Sequence, residues 1–268
     1  MTPSAMIVAG LDVGSGYSKA VLLGAGAEVL GRGVAPTGHD FAAAADKALS
    51  QALEEAGATR EALGAVMATG YGRANVPLAT ATRTEIDCHA RGAYHHVRRA
   101  ITVVDIGGQD NKVIRLDARG RRMDFSMNRK CAAGTGAFLE ELAFWLRIEP
   151  GEMARLAERS TSSEVRIGSY CTVFARTEVL ARLREGAKVE DLARAAYESV
   201  ARRVLETRAM TGEVALTGGV VAHNPHFATI LGRVLGAEVL VPPFPQHTGA
   251  LGAALAALEP TGEDPGTT

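Results

Sequence analysis

Two of the three cysteines in this chain have neighbours that are typical of metal ligands. Cys131 follows Arg129 and Lys130, a poor setting for a buried core thiol, and small residues with two glycines follow it. Cys171 stands just before a predicted helix, 172–184, and we also place Cys131 at a helix start. A helix N-terminus carries about half a positive charge, which stabilises a thiolate. Both cysteines are therefore candidate metal ligands.

The number of thiols limits the kind of centre. A [4Fe–4S] cluster takes four cysteines, and this pair supplies two. A two-fold symmetric dimer presents each cysteine twice, so the count favours a cluster shared between identical subunits. Four thiolates also suit Zn²⁺, and free cysteines are most often small buried core residues. The residues alone leave these interpretations open.

Cys88 is interpreted as a buried or groove-facing thiol beside solvated histidines, His89, His95 and His96.

Two glycine turns follow acidic strand ends and could bind phosphate. Residues 12–16 separate the short apolar runs 6–11 and 19–23, and residues 106–110 separate 101–105 and 112–116. Each arrangement predicts a β-hairpin. Glycine lets backbone N–H groups approach phosphate oxygens, and an aspartate at the strand end can hold Mg²⁺ directly or through water.

The two predicted hairpins are similar to each other. A shift of 93 positions places Asp12 on Asp105, Gly14 on Gly107 and Lys19 on Lys112. Such a repeat predicts two similar halves that face each other across a cleft. Asp12, Asp105 and Gln109, which could orient an attacking water, are the candidate catalytic residues. The candidate nucleotide-binding residues are Gly14, Ser15, Gly16, Lys19, Gly107, Gly108, Gly134, Thr135, Gly136, Gly218, Gly219 and Gln246.

Composition and periodicity set the broad class. The chain has 268 residues, 47% of them apolar, and a net charge of −1, which argues against a nucleic-acid partner. No apolar stretch is long enough for a membrane span or a signal peptide, and three cysteines favour a reducing cytoplasm. Strands and helices alternate, so we expect an α/β fold. The predicted helices are 40–56, 84–99, 135–146, 151–159, 172–184, 189–210, one from 224 and 249–258, and the further strands are 65–69, 213–216 and 238–241.

The order of two phosphate hairpins and a late Gly-Gly turn resembles the actin-like ATPases. More narrowly, the chain resembles the BadF/BadG/BcrA/BcrD-type ATPases, which activate 2-hydroxyacyl-CoA dehydratases or drive benzoyl-CoA reductases. The motifs that carry this resemblance span nearly the whole chain: 12–15 (Asp-Val-Gly-Ser), 70–73 (Gly-Tyr-Gly-Arg), 85–90 (Glu-Ile-Asp-Cys-His-Ala), 105–110 (Asp-Ile-Gly-Gly-Gln-Asp), 130–136 (Lys-Cys-Ala-Ala-Gly-Thr-Gly), 171–175 (Cys-Thr-Val-Phe-Ala), 216–220 (Leu-Thr-Gly-Gly-Val) and 249–254 (Gly-Ala-Leu-Gly-Ala-Ala).

The resemblance implies a duplicated actin-like, ribonuclease H-like fold. We place the first half at 1–100, with helix 249–258 packing back on it, the second half at 101–248 and a flexible tail at 259–268. It also implies ATP or ADP with Mg²⁺, and one [4Fe–4S] cluster held by Cys131 and Cys171 across a homodimer or a pair with a paralogous subunit. The expected partners are a 2-hydroxyacyl-CoA dehydratase or benzoyl-CoA reductase component and, as electron donor, ferredoxin or flavodoxin.

Two other functions compete with this one. An actin-like small-molecule kinase would carry the cysteines as structural residues and would be a colourless monomer. A nucleotide-dependent regulator or chaperone would hydrolyse ATP without a metal centre, but the chain lacks the large second domain expected for it. A brown, air-sensitive preparation would distinguish the cluster protein from both.

Overall fold

The computed structural model describes residues 7–168, 171–208, 210 and 212–259. The chain divides into two units, Met1–His95 with His247–Thr268, and His96–Gln246. Each unit contains one five-stranded mixed sheet. No helix among the described residues has the length and apolar character needed to cross a membrane.

The sheet of the first unit has the strand order β3-β2-β1-β4-β5. Strands β1, β2 and β3 form an antiparallel meander, and β4 and β5 continue the sheet parallel to β1. Its elements are β1 Ile7–Val13, β2 Tyr17–Leu23, β3 Val29–Pro36, α1 Phe41–Ala56, β4 Leu63–Thr69, β5 Ala81–Thr82, α2 Glu85–Val97 and, at the end of the chain, α9 Thr248–Ala257.

The sheet of the second unit has the order β10-β9-β6-β7-β8. Strands β6, β7 and β8 again form an antiparallel meander, with β9 and β10 parallel to β6. Its elements are β6 Ile101–Ile106, β7 Asn111–Leu116, β8 Arg122–Asn128, α3 Gly136–Leu146, α4 Pro150–Arg159, α5 Thr172–Arg184, α6 Val189–Thr207, β9 Val214–Thr217, α7 Gly219–His223, α8 Phe227–Leu235 and β10 Val239–Leu240.

Both units therefore share one topology, a three-stranded meander followed by two parallel strands. The duplication predicted from the 93-residue shift is confirmed, because that shift also relates the cross-strand pairs. Asp12 lies opposite Lys19 across β1 and β2, and Asp105 lies opposite Lys112 across β6 and β7.

In the first unit, local sequence determines where helix α1 begins and ends and how closely it packs on the sheet. The Asp40 carboxylate accepts a hydrogen bond from the Ala43 N–H at 2.9 Å and caps the start of the helix. Gly57 ends the helix at φ +61°, a left-handed conformation that glycine adopts without strain. The buried face of the helix is rich in alanine and packs closely on β3. A Cβ on Gly31 or Gly33 would lie 2.1 Å or 1.9 Å from a carbonyl oxygen of α1, so these two strand positions require glycine.

The elements predicted from the sequence are largely present, and α5 has the predicted bounds. Three strands were missed: β3 and β8, the third strand of each meander, and the two-residue strand β5. The predicted helix 189–210 ends at Thr207, and the predicted strand 238–241 is reduced to Val239–Leu240. The predicted tail lies outside the described residues except for Glu259, which forms ion pairs with Arg83 and Arg91.

The cores of the two units differ in character. The first contains α1 on β1–β3 and α9 on β1, β2 and β4, with many alanines and few aromatic residues. The second is larger, and its helices α3, α4, α6 and α8 pack together around Phe138, Met153 and Phe227. Each sheet holds its Asp–Lys hairpin at a strand end, where the side chains of the candidate site lie.

Candidate functional site

The first hairpin buries Asp12 at the end of β1. Asp12 is 4% exposed, and Lys19 Nζ lies 3.3 Å from Asp12 Oδ2. The turn closes with a hydrogen bond from the Gly14 N–H to the Tyr17 carbonyl at 3.1 Å. Ser15 is half-buried and Gly16 is exposed, so the tip of the turn is open to a ligand.

The second hairpin repeats this geometry around Asp105, which is 3% exposed. Lys112 Nζ lies 3.4 Å from Asp105 Oδ2 and 2.9 Å from Asp110 Oδ2. The Gly107 N–H donates to the Asp110 carbonyl at 3.0 Å, the counterpart of the Gly14 bond. Gly108 and Gln109 are exposed at the tip of the turn. Within each unit, the structure thus brings together the candidate catalytic and nucleotide-binding residues of that unit's hairpin.

The two units are also equivalent in the strand beside each aspartate, where each places a threonine. The sequence analysis did not predict that these threonines lie next to the aspartates. Thr69 of β4 lies opposite Asp12, and Thr217 of β9 lies opposite Asp105. The Thr217 hydroxyl donates to Asp105 Oδ1 at 2.7 Å. The Thr69 hydroxyl has no oxygen or nitrogen partner in the part of the chain that the structure describes.

A left-handed glycine follows each threonine. Gly70 has φ +88° and Gly218 has φ +100°. A Cβ on Gly70 would lie 2.6 Å from the Val13 carbonyl oxygen, and one on Gly218 would lie 2.3 Å from that of Ile106. Both positions therefore require glycine for conformation and for close approach to the hairpin strand.

Gly218, Gly219 and Gln246 come together at the end of β9. The Gly218 N–H donates to the Pro245 carbonyl at 3.0 Å, and Gly219 begins the short helix α7. A Cβ on Gly219 would lie 3.9 Å from Gln246 Nε2. The predicted Gly-Gly turn therefore leads directly into a helix, with the Gln246 amide beside it.

The candidates Gly134, Thr135 and Gly136 support the second hairpin. The Gly136 N–H donates to the Gly107 carbonyl at 2.9 Å, so this group is used within the protein. The Thr135 hydroxyl donates to the Ala132 carbonyl at 2.6 Å. The Gly134 carbonyl accepts from Asn111 Nδ2 at 2.9 Å. These bonds fix the start of α3 against the hairpin turn, and a role in nucleotide binding stays a prediction.

The two candidate ligand cysteines both belong to the second unit. Cys171 is exposed and is the N-cap residue of α5, with residues 169–170 outside the described part of the chain. Cys131 is half-buried in a loop, and its carbonyl accepts from Asn128 Nδ2 at 3.1 Å.

The predicted helix-start position of Cys131 is wrong. Helix α3 begins at Gly136, with Thr135 as its N-cap, because Gly134 at φ +80° turns the chain before the helix. The helix dipole acts only within the first turn, so its stabilising effect on a thiolate applies to Cys171 and not to Cys131.

The environment of Cys88 is different. It is fully buried, and burial raises the pKa of its thiol to about 12. It lies on α2 in contact with α9, which leaves no access for a metal. His89 is also buried, at 5% exposure, which corrects the expectation that it is solvated. Within the described residues, no group of three or more His, Cys, Asp or Glu side chains is arranged to hold a metal ion.

Comparison with known proteins identifies the family of this chain. Residues 9–257 match the family model of the BadF/BadG/BcrA/BcrD ATPase family. The chain belongs to the BadF/BadG/BcrA/BcrD ATPase family. The resemblance drawn from its motifs is confirmed.

Three relatives are similar over nearly their whole length. The 2-hydroxyisocaproyl-CoA dehydratase activator of Clostridioides difficile is 40% identical over 95% of this chain and 96% of its own. The activator of lactoyl-CoA dehydratase of Anaerotignum propionicum is 43% identical over 95% and 98%. The (R)-2-hydroxyglutaryl-CoA dehydratase activating ATPase of Acidaminococcus fermentans is 40% identical over 93% and 96%.

Solved structures confirm the actin-like α/β fold. Component A of the A. fermentans (R)-2-hydroxyglutaryl-CoA dehydratase has a TM-score of 0.89 and 38% identity, covering 95% of this chain and 98% of its own. The C. difficile activator with bound ADPNP has a TM-score of 0.87 and 40% identity, covering 94% of each chain. A ROK family glucokinase from Streptomyces griseus shares the fold alone, at 15% identity, with a TM-score of 0.54 and coverage of 94% and 99%.

Proposed function

We propose that this chain hydrolyses ATP and thereby passes one low-potential electron to a 2-hydroxyacyl-CoA dehydratase or a benzoyl-CoA reductase-type enzyme. The observation that carries the proposal is the near full-length similarity, at 40–43% identity, to three activators of 2-hydroxyacyl-CoA dehydratases. The partner enzyme, and not this chain, would bind the acyl-CoA and carry out the carbon chemistry.

The two hairpins are the proposed phosphate and Mg²⁺ site. Each combines an open glycine turn with a buried aspartate held by a lysine, which are the groups that phosphate and Mg²⁺ require. Gln109, exposed beside the second turn, would orient the attacking water. The turn at Gly218 and Gly219, with Gln246 beside it, would contact the nucleoside. The ADPNP-bound relative supports the binding of an adenine nucleotide to this fold.

The chemistry of the cysteines fits a cluster shared between two chains. Cys131 and Cys171 are accessible thiols in one unit, whereas Cys88 is buried and its thiol pKa is raised to about 12. Soft thiolate ligands suit an iron–sulfur cluster, and two per chain give four in a dimer. A [4Fe–4S] cluster bound there would supply one-electron chemistry at low potential.

Coupling to ATP accounts for the direction of transfer. Each tenfold bias of a one-electron transfer corresponds to about 59 mV, so nucleotide binding and hydrolysis can drive an electron toward an acceptor of lower potential. We propose a homodimer in the cytoplasm, reduced by ferredoxin or flavodoxin. A pair with a paralogous subunit would satisfy the same thiol count.

The test is ATP-dependent activation of a purified 2-hydroxyacyl-CoA dehydratase under anaerobic conditions. We expect dehydration only when reduced protein, ATP and Mg²⁺ are all present. Cys131→Ser should abolish activation, and Cys88→Ser serves as the matched control because its thiol is buried away from the accessible pair. ATP turnover that phosphorylates a small alcohol or carboxylate, with no activation of any dehydratase or reductase, would overturn the proposal in favour of a kinase.

A further inference from the structure

Helices α2 and α9 cross in the first unit through a reciprocal pair of glycine contacts. A Cβ on Gly252 of α9 would lie 1.7 Å from the Cys88 carbonyl oxygen of α2. A Cβ on Gly92 of α2 would lie 2.0 Å from the Thr248 carbonyl oxygen of α9. No side chain fits at either contact, so the two helix backbones touch.

The spacing of these contacts shows which positions correspond. Gly92 is four residues after Cys88, and Gly252 is four residues after Thr248. Both helices also follow the fifth strand of their repeat, since α2 comes after β5 and α9 after β10. The crossing therefore pairs equivalent positions, Cys88 with Thr248. One residue further on, the equivalent positions hold His89 and Gly249.

His89 and Gly249 meet beside Asp12. A Cβ on Gly249 would lie 2.9 Å from Asp12 Oδ2 and 3.0 Å from His89 Nε2. The carboxylate oxygen and the imidazole nitrogen therefore both lie next to the Cβ position of Gly249 and are at most about 6 Å apart. Both residues are nearly inaccessible to solvent, Asp12 at 4% and His89 at 5% exposure. Any side chain at position 249 would crowd both atoms.

We propose that His89 is a positioning residue that orients the Asp12 carboxylate, and that Gly249 is the position that makes room for it. The inference rests on the proposed function in one respect, that Asp12 serves the Mg²⁺–nucleotide site. It adds a residue on α2 that acts through Asp12.

The second unit shows which group holds the equivalent aspartate. Asp105 receives a hydrogen bond from the Thr217 hydroxyl of its neighbouring strand at 2.7 Å. The equivalent Thr69 hydroxyl does not donate to Asp12. A buried carboxylate is costly unless polar groups hold it. Each hairpin supplies a lysine to its aspartate, Lys19 to Asp12 and Lys112 to Asp105. Beside Asp12, the imidazole of His89 takes the place that the Thr217 hydroxyl has beside Asp105, and it comes from a different element, the helix α2.

The two aspartates would therefore depend on different elements of the fold for their orientation. The orientation of Asp105 depends on β9, within the same sheet. The orientation of Asp12 depends on the crossing of α2 and α9, because that crossing sets the distance between His89 and β1. A change in the crossing would therefore alter the geometry of one aspartate and not of the other.

The test measures how Mg²⁺ changes ADP affinity, by calorimetry with and without EDTA. We expect His89→Leu to reduce the Mg²⁺-dependent gain in affinity about tenfold, the size of losing one hydrogen bond to a charged group. His89→Gln, whose amide nitrogen can reach the Nε2 position, should stay within about threefold of the parent protein. ADP affinity in EDTA should be unchanged in both, and His96→Gln, exposed on the same helix, is the matched control.

Gly249→Ala provides a second route to the same effect. The added methyl group should displace the carboxylate and the imidazole and lower the Mg²⁺-dependent gain as His89→Leu does. Because both changes act on one contact, the double variant should be no worse than the more affected single variant. Additive effects, or a folded His89→Leu protein with the parent Mg²⁺ dependence, would overturn the inference. A parent protein that binds no Mg²⁺–nucleotide would instead overturn the proposed function, and the inference with it.

Discussion

The hairpins around Asp12 and Asp105 share a backbone but not an environment. Both place the aspartate opposite a lysine and close the turn with the same hydrogen bond. In the second unit Lys112 is 4% exposed in its side chain and contacts two carboxylates, whereas Lys19 is 16% exposed and contacts one. Duplication has thus preserved the geometry that a phosphate site requires, while the groups that stabilise each carboxylate have diverged.

The largest effect should come from the aspartates themselves. Asp12→Asn and Asp105→Asn should each lower Mg²⁺-dependent ATP hydrolysis about 10²–10³-fold, the usual loss when one charge-stabilising group is removed. Phosphate release from the purified protein measures this. If one variant retained full hydrolysis, that hairpin would be a structural repeat only.

Replacing the lysine of each hairpin should lower the free energy of unfolding by different amounts. Lys112→Met should lower the free energy of unfolding by about 3 kcal/mol, because it leaves Asp105 and Asp110 without their shared cation. Lys19→Met should cost about 1 kcal/mol, since Lys19 is partly solvated and pairs with one carboxylate. Urea unfolding of the nucleotide-free proteins gives both values. Equal losses would contradict the difference in environment.

A pH dependence should arise from His247, which belongs to the first unit. Burial, together with the nearby charges of Arg32 and Lys19, lowers the pKa of His247 to about 4. The unfolded chain, with a pKa of about 6.5, binds a proton that the folded protein does not, so stability falls as the pH drops below 6.5. Between pH 7 and pH 5 the loss should be about 2 kcal/mol.

The variant His247→Gln isolates this contribution. It removes the titrating group, so the fall in unfolding free energy between pH 7 and pH 5 should become shallower by about that amount. Urea unfolding at several pH values provides the comparison with the parent protein. An unchanged slope would show that other groups cause the acid dependence.

The smallest effect should distinguish the two threonines. Thr217→Val removes the 2.7 Å hydrogen bond to the buried Asp105 and should cost about 1.5 kcal/mol. Thr69→Val should be close to neutral, because its hydroxyl has no oxygen or nitrogen partner among the described residues. A similar loss in both variants would contradict this difference between the two threonines.

The hairpins were predictable because their information is local. An acidic strand end, a glycine turn and a second apolar strand lie within about a dozen residues of each other, and the repeat at 93 positions reinforced the pattern. The threonines were not predictable in this way. Thr69 and Thr217 reach their aspartates through parallel strand pairing across long connections, which a local pattern does not contain.

The missed strands and the misplaced cysteine have different physical causes. Strand β3 carries Gly31 and Gly33 because α1 packs directly on it, and glycine weakens a strand pattern. Strand β8 is largely polar and partly exposed along its length. Cys131 was placed at the start of the predicted helix 135–146, but the turn at Gly134 separates it from α3, which begins at Gly136.

The central claim is that two chains share one cluster through Cys131 and Cys171, and the most direct measurement is the iron and acid-labile sulfide content of anaerobically purified protein of known mass in solution. We predict four irons and four sulfides per two chains, lost in Cys131→Ser and in Cys171→Ser and retained in Cys88→Ser. An iron-free, monomeric protein, or a Cys131→Ser variant with its full iron content, would contradict the claim.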